Sequence, residues 1–578
     1  MRKKLRLGAA IGALLLATLS FQQSFADSDD IHHVLLISID GFHVLDYLNC
    51  VKGGYCPNLA ALGTTGVNYL DTSTSKPSDS FPGLMALMTG GSPRTMGVNY
   101  DVAYDRALNP PMDTTGNGLL GGPCTSGGTP SGTSTEYDEG INLNEGVGTG
   151  AKAQQFLNGG APSGDGGINS IDATRLVRDE HCNPVYPWNF VRVNTIYGVI
   201  HGAGGYTAWA DKHPSYSSVG GPTGTSTDTN VDDYFGPEIN SNSANFEAGA
   251  TPKLNTCKPN LPDQFAVAAA DDYTGSFLNI QCYDSLKVEA ILNEIDGRNH
   301  DGSAKAPVPN IFGMNFQAVS IGQKLIYSHN GGVTPQPSPP ASPPYSNAGG
   351  YTDSIGTPSG SLQNEIAYVD SSIGMMVSEL KKKHLLHSTL IIITAKHGQS
   401  PVDTSRYVRD GSNDPATLLS SCLPDSEANQ IGPTEDDVAL LWLKSSCSVA
   451  TEVSDLEALS PTTNNIADIG EIFSGPGINL FYNAGDSRAP DILITPNIGV
   501  TYSNSTKKQA EHGGFSKDDT NVILLVSNPF IAASTVTTPV QTKQVAPTIL
   551  KALGLNPRSL KAVRLENTPV LPGLSLPE

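Results

Sequence analysis

The sequence predicts an α/β fold built on a mainly parallel central sheet with helices on both faces. Residues 34–39 and 390–394 are unbroken apolar runs, the pattern of strands buried on both sides. Residues 362–383 carry Ile366, Val369, Ile373, Val377 and Leu380 at helical spacing, with Lys381, Lys382 and Lys383 at the end where the helix dipole is negative. A long amphipathic helix leading straight into a buried strand is the crossover of a parallel βαβ unit.

Taken in order, the chain opens on Arg2, Lys3, Lys4 and Arg6, an apolar stretch over residues 7–19, and Ser24-Phe25-Ala26. This is the pattern of an export signal over residues 1–26, which leaves 27–570 as the α/β domain and predicts a secreted or periplasmic protein. No later stretch has the length of a membrane span. The net charge of −21 repels nucleic acid and anionic lipid, so a nucleic-acid duplex is not an expected partner, and an anionic substrate needs a local cation. The eight cysteines of an exported chain predict four disulfides. Pairing in sequence order, Cys50 with Cys56, Cys124 with Cys182, Cys257 with Cys282 and Cys422 with Cys447, is one of many connectivities.

The strand 34–39 ends on Asp40-Gly41-Phe42, and a carboxylate at the C-terminal end of such a strand stands where open α/β sheets bind ligands. In the next motif Phe81, Leu84, Met85 and Met88 mark one face of a helix starting near Pro82, with Ser80 at its N-cap. A hydroxyl there faces free backbone N–H groups and the positive end of the dipole, which suits an anion, although capping alone would account for it. Residues 108–169, dense in Gly, Ser, Thr and Pro, read as an irregular insertion. A strand is predicted at 190–200, and order continues at 205–210; Asp211, Lys212 and His213 follow in a solvated loop near the active face. A helix over 285–295 leads into the loop from Asp296 to His300, then a strand at 309–316 and a Pro-rich excursion over 331–350. The strand 390–394 runs into Lys396-His397-Gly398. A small lobe over 410–479 contains a strand at 438–443. A strand at 488–495, the loop Glu511-His512-Gly513-Gly514, a strand at 522–527 and a helix at 545–555 capped by Gly554 complete the order.

Asp40-Gly-Phe and Ser80-Phe-Pro, followed by Thr89-Gly90 and Pro93, resemble the alkaline phosphatase superfamily, in its type I phosphodiesterase and nucleotide pyrophosphatase branch. The resemblance extends from about residue 34 to 555, between insertions. It implies the alkaline phosphatase-like fold, with a sheet strand at 205–210, and a phosphoester hydrolase acting on a small anionic ester, with Ser80 as nucleophile. It also implies a divalent metal, zinc, held by Asp40, His397 and His512. The pattern departs in three places. Lys396 stands where the family has a ligating Asp, and neither ligand of the family's Asp-x-x-x-His pair occurs at the end of the strand 309–316. Asp101 stands where an Asn assists phosphoryl binding, and should repel phosphate. Asp296 and His300 have that pair's spacing but follow a helix, so they read as coincidence. Lys396 then either replaces a metal's charge or marks a relative that binds an anion without turnover; a sulfatase or phosphotransferase of the same superfamily is a further alternative.

Overall fold

The strand β1 (His33–Ile39) is buried along its apolar length because it sits mid-sheet with helices on either side. The computed structural model describes residues 30–576 apart from 116–117, 138–170, 228, 238, 240–272, 276, 327–347 and 460–466. The expected signal segment, residues 138–169 of the insertion and residues 331–347 of the Pro-rich stretch therefore lie outside the described residues, as does Cys257. Among those described, the main sheet has eight strands: β1, β2 (Gly66–Tyr69), β3 (Ala208–Ala210), β4 (Asp233–Phe235), β5 (Ile311–Phe316), β6 (Thr389–Thr394), β7 (Leu524–Ser527) and β8 (Ser534–Val536). Their order is β8-β2-β7-β6-β1-β5-β3-β4. β7 alone runs antiparallel to its neighbours, and every other pairing is parallel.

Period-two alternation divides β1 between two cores. Leu35, Ile37 and Ile39 pack with Ile291 of α2 (Phe277–Ile295) and Ile366, Val369 and Ile373 of α4 (Gly360–Lys382). Val34 and Leu36 face Phe81, Leu84 and Met88 of α1 (Ser80–Thr89) and Ile549 of α5 (Val545–Ala552). Helices on both faces leave the C-terminal strand ends as the open rim, the usual ligand side of a parallel sheet.

The predicted strands at 34–39, 309–316, 390–394 and 522–527 form with small shifts at their ends. The expected strand at 190–200 is instead two short helices, Pro187–Phe190 and Ile196–Gly202. Pro187 opens the first, and the Thr195 side chain accepts the Gly198 N–H to start the second, so local capping decides a run that is apolar under either reading. Part of the expected irregular insertion is ordered: Thr133–Glu136 pairs antiparallel with Val102–Asp105. The small lobe has a four-stranded antiparallel sheet that takes in Ile492–Pro496, past the expected boundary, because Ile492, Leu493 and Ile494 complete the ladder beside Ala439–Leu441. Disulfides join Cys50 to Cys56, Cys124 to Cys182 and Cys422 to Cys447, as the order of the cysteines suggested.

Candidate active site

Four parallel strands deliver charged or polar groups to one rim. β1 ends at Asp40, β3 at Asp211 and Lys212, β5 at Asn315 and Gln317, and β6 at Lys396 and His397. The N-terminus of α1 brings Ser80, and a loop from the far end of the chain brings His512. Helix α1 is buried at every position, and Gly83 lets it lie directly on the β6 loop: a Cβ there would stand 2.1 Å from the Lys396 carbonyl oxygen.

Asp40 is the hub. Its Oδ2 accepts the side-chain amides of Gln317 at 2.6 Å and Asn315 at 3.1 Å, and lies 3.4 Å from His397 Nε2 and 3.7 Å from Lys396 Nζ. The Lys396 ammonium, fully buried, also lies 3.3 Å from Asp211 Oδ1 and 4.6 Å from the centre of the Tyr216 ring. The His397 and His512 rings meet edge to face with centroids 3.9 Å apart. Ser80 is fully buried, and its Oγ receives a hydrogen bond from Lys212 Nζ at 3.0 Å. Sequence reasoning brought Asp40, Ser80, Lys396, His397 and His512 to one site and left Lys212 in a solvated loop. The structure corrects that loop: Asp211 and His213 are buried, and Lys212 reaches Ser80. Asp211 follows a buried strand directly, the same positional signal that singled out Asp40.

Ser80 is also not the N-cap. Asp79 takes that place and Ser80 is the first helical residue. Asp101, expected to repel phosphate, accepts the Phe81 N–H at 2.7 Å, while Asp79 accepts the Asp101 N–H at 2.9 Å. One free N–H at the helix start is thereby already paired with a carboxylate, which leaves Lys212 as the cation at Ser80. Asp296 and His300 stay away from the site: Asp296 pairs with Lys383, and His300 with Asp233 at 2.5 Å. A cavity of about 310 Å³ opens beside the site, with Asp79, Asp101, Lys212, Gln317, Lys324 and His512 in its wall.

Burial would push the Asp40 carboxyl up, but Lys396, His397 and Lys212 hold it well below the usual carboxylate range. Burial lowers Lys212, and the carboxylates of Asp40, Asp101, Asp211 and Asp79 more than reverse this, so it stays an ammonium. Burial and then Asp101 push the Asp79 carboxyl well above its ordinary value. Burial lowers His397, and burial with the neighbouring His397, Lys324 and Lys212 lowers His512 well below its usual range, so both imidazoles are neutral at pH 7.

The profile of the type I phosphodiesterase / nucleotide pyrophosphatase family matches residues 34–126 and 344–519. Over those residues the chain is similar to that family. The matched segments hold Asp40, Ser80, Lys396, His397 and His512, whereas Asp211 and Lys212 fall in the unmatched stretch between them. Two solved structures of murine ectonucleotide pyrophosphatase / phosphodiesterase 5 share the fold, each with a TM-score of 0.50 and 14% identity and covering 91% of this chain. One, an inactive form in complex with AMP, is covered over 96% of its length, and the other over 95%. A search of curated protein sequences finds no match. The match supports phosphoester hydrolysis at the level of the family.

Family members are typically dependent on divalent metals, and some atoms here could serve one. Asp40 Oδ1, His397 Nε2 and His512 Nδ1 are buried without a hydrogen-bond partner among the described residues. The donor set nevertheless does not fit the family's centre. Among the described residues, only Cys422, Cys447 and Glu452 bring three ligand atoms of His, Cys, Asp or Glu within 4.8 Å of one another, and those sulfurs are joined in a disulfide. Asp40, His397 and His512 meet in pairs, without forming a three-ligand cage. Lys396 also lies against the carboxylate that would ligate. A divalent ion and an ammonium about 4 Å apart repel by about 8 kcal/mol even at an effective dielectric of about 20.

Proposed function

We propose that this protein is a phosphodiester hydrolase in which Ser80 is the nucleophile. The observation that carries the reading is the hydrogen bond from Lys212 Nζ to Ser80 Oγ, at the start of a buried helix beside a cavity. An ammonium in that place stabilises the serine oxygen as it loses its proton, and then holds the nonbridging oxygens of the substrate. Ser80 Oγ bonds to phosphorus, the bond to the ester oxygen of the leaving group breaks, and a seryl phosphodiester remains. Water then attacks phosphorus, Ser80 leaves, and a phosphate monoester is released. His512, neutral and in the cavity wall, is the base available for the proton of Ser80. Three carboxylates, Asp40, Asp101 and Asp211, surround two ammonium groups, so no excess positive charge awaits a dianion. This favours the singly charged diester over the monoester. The three disulfides among the described residues and the pattern of residues 1–26 support export from the cell.

The test is steady-state hydrolysis of bis(p-nitrophenyl) phosphate, a nucleoside 5′-(p-nitrophenyl) phosphate and p-nitrophenyl phosphate by the wild type and Ser80→Ala. Turnover of diesters above the monoester is expected, with a loss of at least about a thousandfold in Ser80→Ala. A folded Ser80→Ala variant with wild-type turnover would remove Ser80 from the chemistry.

A further inference from the structure

We propose that Lys396 and Lys212 together supply the positive charge that metal ions supply elsewhere in the family, so that the site works without a divalent cation. This rests on Ser80 as nucleophile and adds to it a claim about cofactor dependence. Lys396 provides the first half. Its ammonium is fully buried against Asp40 and Asp211 and lies over the face of Tyr216, so it is a fixed charge inside the site. The packing of Gly83 on the Lys396 carbonyl sets that charge at the nucleophile's own helix.

Lys212 provides the second half, and Asp211 couples the two. Asp211 Oδ1 lies 3.3 Å from the Lys396 ammonium and accepts the Lys212 backbone N–H at 2.8 Å, while Oδ2 accepts the Trp209 indole N–H at 3.0 Å. One carboxylate thus positions one lysine through its head and the other through its main chain. The amides of Asn315 and Gln317 already satisfy the Asp40 oxygen that faces Lys396, which holds Asp40 as a counter-ion. Metal ions in a phosphoryl-transfer site lower the pKa of the nucleophile and neutralise the equatorial oxygens. An ammonium on Ser80 Oγ performs the first task and a second, buried ammonium contributes to the other, each as a hydrogen-bond donor carrying a full charge.

The experiment uses the full mature chain, dialysed against a strong chelator, with metal content measured by plasma mass spectrometry and turnover of bis(p-nitrophenyl) phosphate measured before and after. Substoichiometric metal with turnover unchanged within about twofold is expected, since no step passes through an ion. Lys396→Met should lose about a hundredfold or more in kcat while Lys396→Arg recovers part of it, because charge rather than shape is at stake. Lys396→Asp should purify with zinc that the wild type lacks, a readout independent of activity. A wild type carrying stoichiometric metal, or one silenced by chelation and restored by zinc, overturns the inference and leaves Ser80 as nucleophile intact. Loss of the chelator-resistant turnover only in Lys396 variants that fail to melt cooperatively would reduce Lys396 to a structural role, and the wild-type metal measurement would then decide alone. Turnover that survives in Ser80→Ala refutes the underlying reading instead.

Discussion

Gly83 lies closer to the Lys396 backbone than any side chain allows, so the smallest substitution there tests how strictly the helix of Ser80 and the loop of Lys396 are spaced. Gly83→Ala forces helix α1 and the β6 loop apart. A loss of about 1–3 kcal/mol in stability is expected from overpacking of this kind, with a fall in kcat larger than the change in KM. Denaturant titration and steady-state kinetics on the same preparation separate the two effects. Asp211 acts at the same scale through the two lysines it holds. Asp211→Asn keeps the side chain's shape but removes the charge and turns one of its two accepting oxygens into a donor, and should lower kcat about tenfold or more with a shifted pH profile, whereas a merely structural residue would leave the profile in place.

Among the elements, the loop carrying His512 is anchored by ion pairs of its neighbour Glu511. Glu511 meets Lys324, the last residue of α3 (Ala318–Lys324), at 2.8 Å, and also pairs with Lys508. Burial would raise the Glu511 carboxyl, but Lys324 and Lys508 bring it down from 4.5 to about 2. Because the folded value lies below the unfolded one, the stabilisation is fully present above about pH 4.5 and is lost as pH falls through about 2. Glu511→Gln should therefore cost about 3 kcal/mol at pH 7. Unfolding free energies of the two proteins should converge between about pH 4 and 2, and a gap that persisted in acid would remove the ion pairs as its cause.

Across the whole molecule, the disulfides constrain segments the main sheet does not hold. Cys124–Cys182 spans 58 residues, which in the chain-entropy picture stabilises the fold by about 4 kcal/mol. Cys124→Ser with Cys182→Ser should lower the midpoint of urea unfolding while leaving the sheet and turnover in place. The main sheet was legible because its central strands are long apolar runs that only a doubly covered sheet can bury. Residues 190–200 were not, since a short apolar run has no period that separates strand from helix, and capping by Pro187 and Thr195 decides it. Asp40 and Ser80 could be found from motifs local to each. Lys212 is 132 residues from Ser80 in sequence, and no local pattern announces a contact made only by the order of β5 and β3 in the sheet. Lys396 was visible as a departure from the family and Asp211 as a carboxylate after a strand, but no local pattern announced that the two pair. The central claim is that Ser80 becomes covalently attached to phosphorus. Rapid acid quench of the enzyme with bis(p-nitrophenyl) phosphate, followed by peptide mass spectrometry, tests it most directly. The account predicts a transient phosphoryl ester on the peptide containing Ser80, absent from Ser80→Ala; a burst of nitrophenol with the adduct on another residue, or steady turnover in Ser80→Ala, would contradict it.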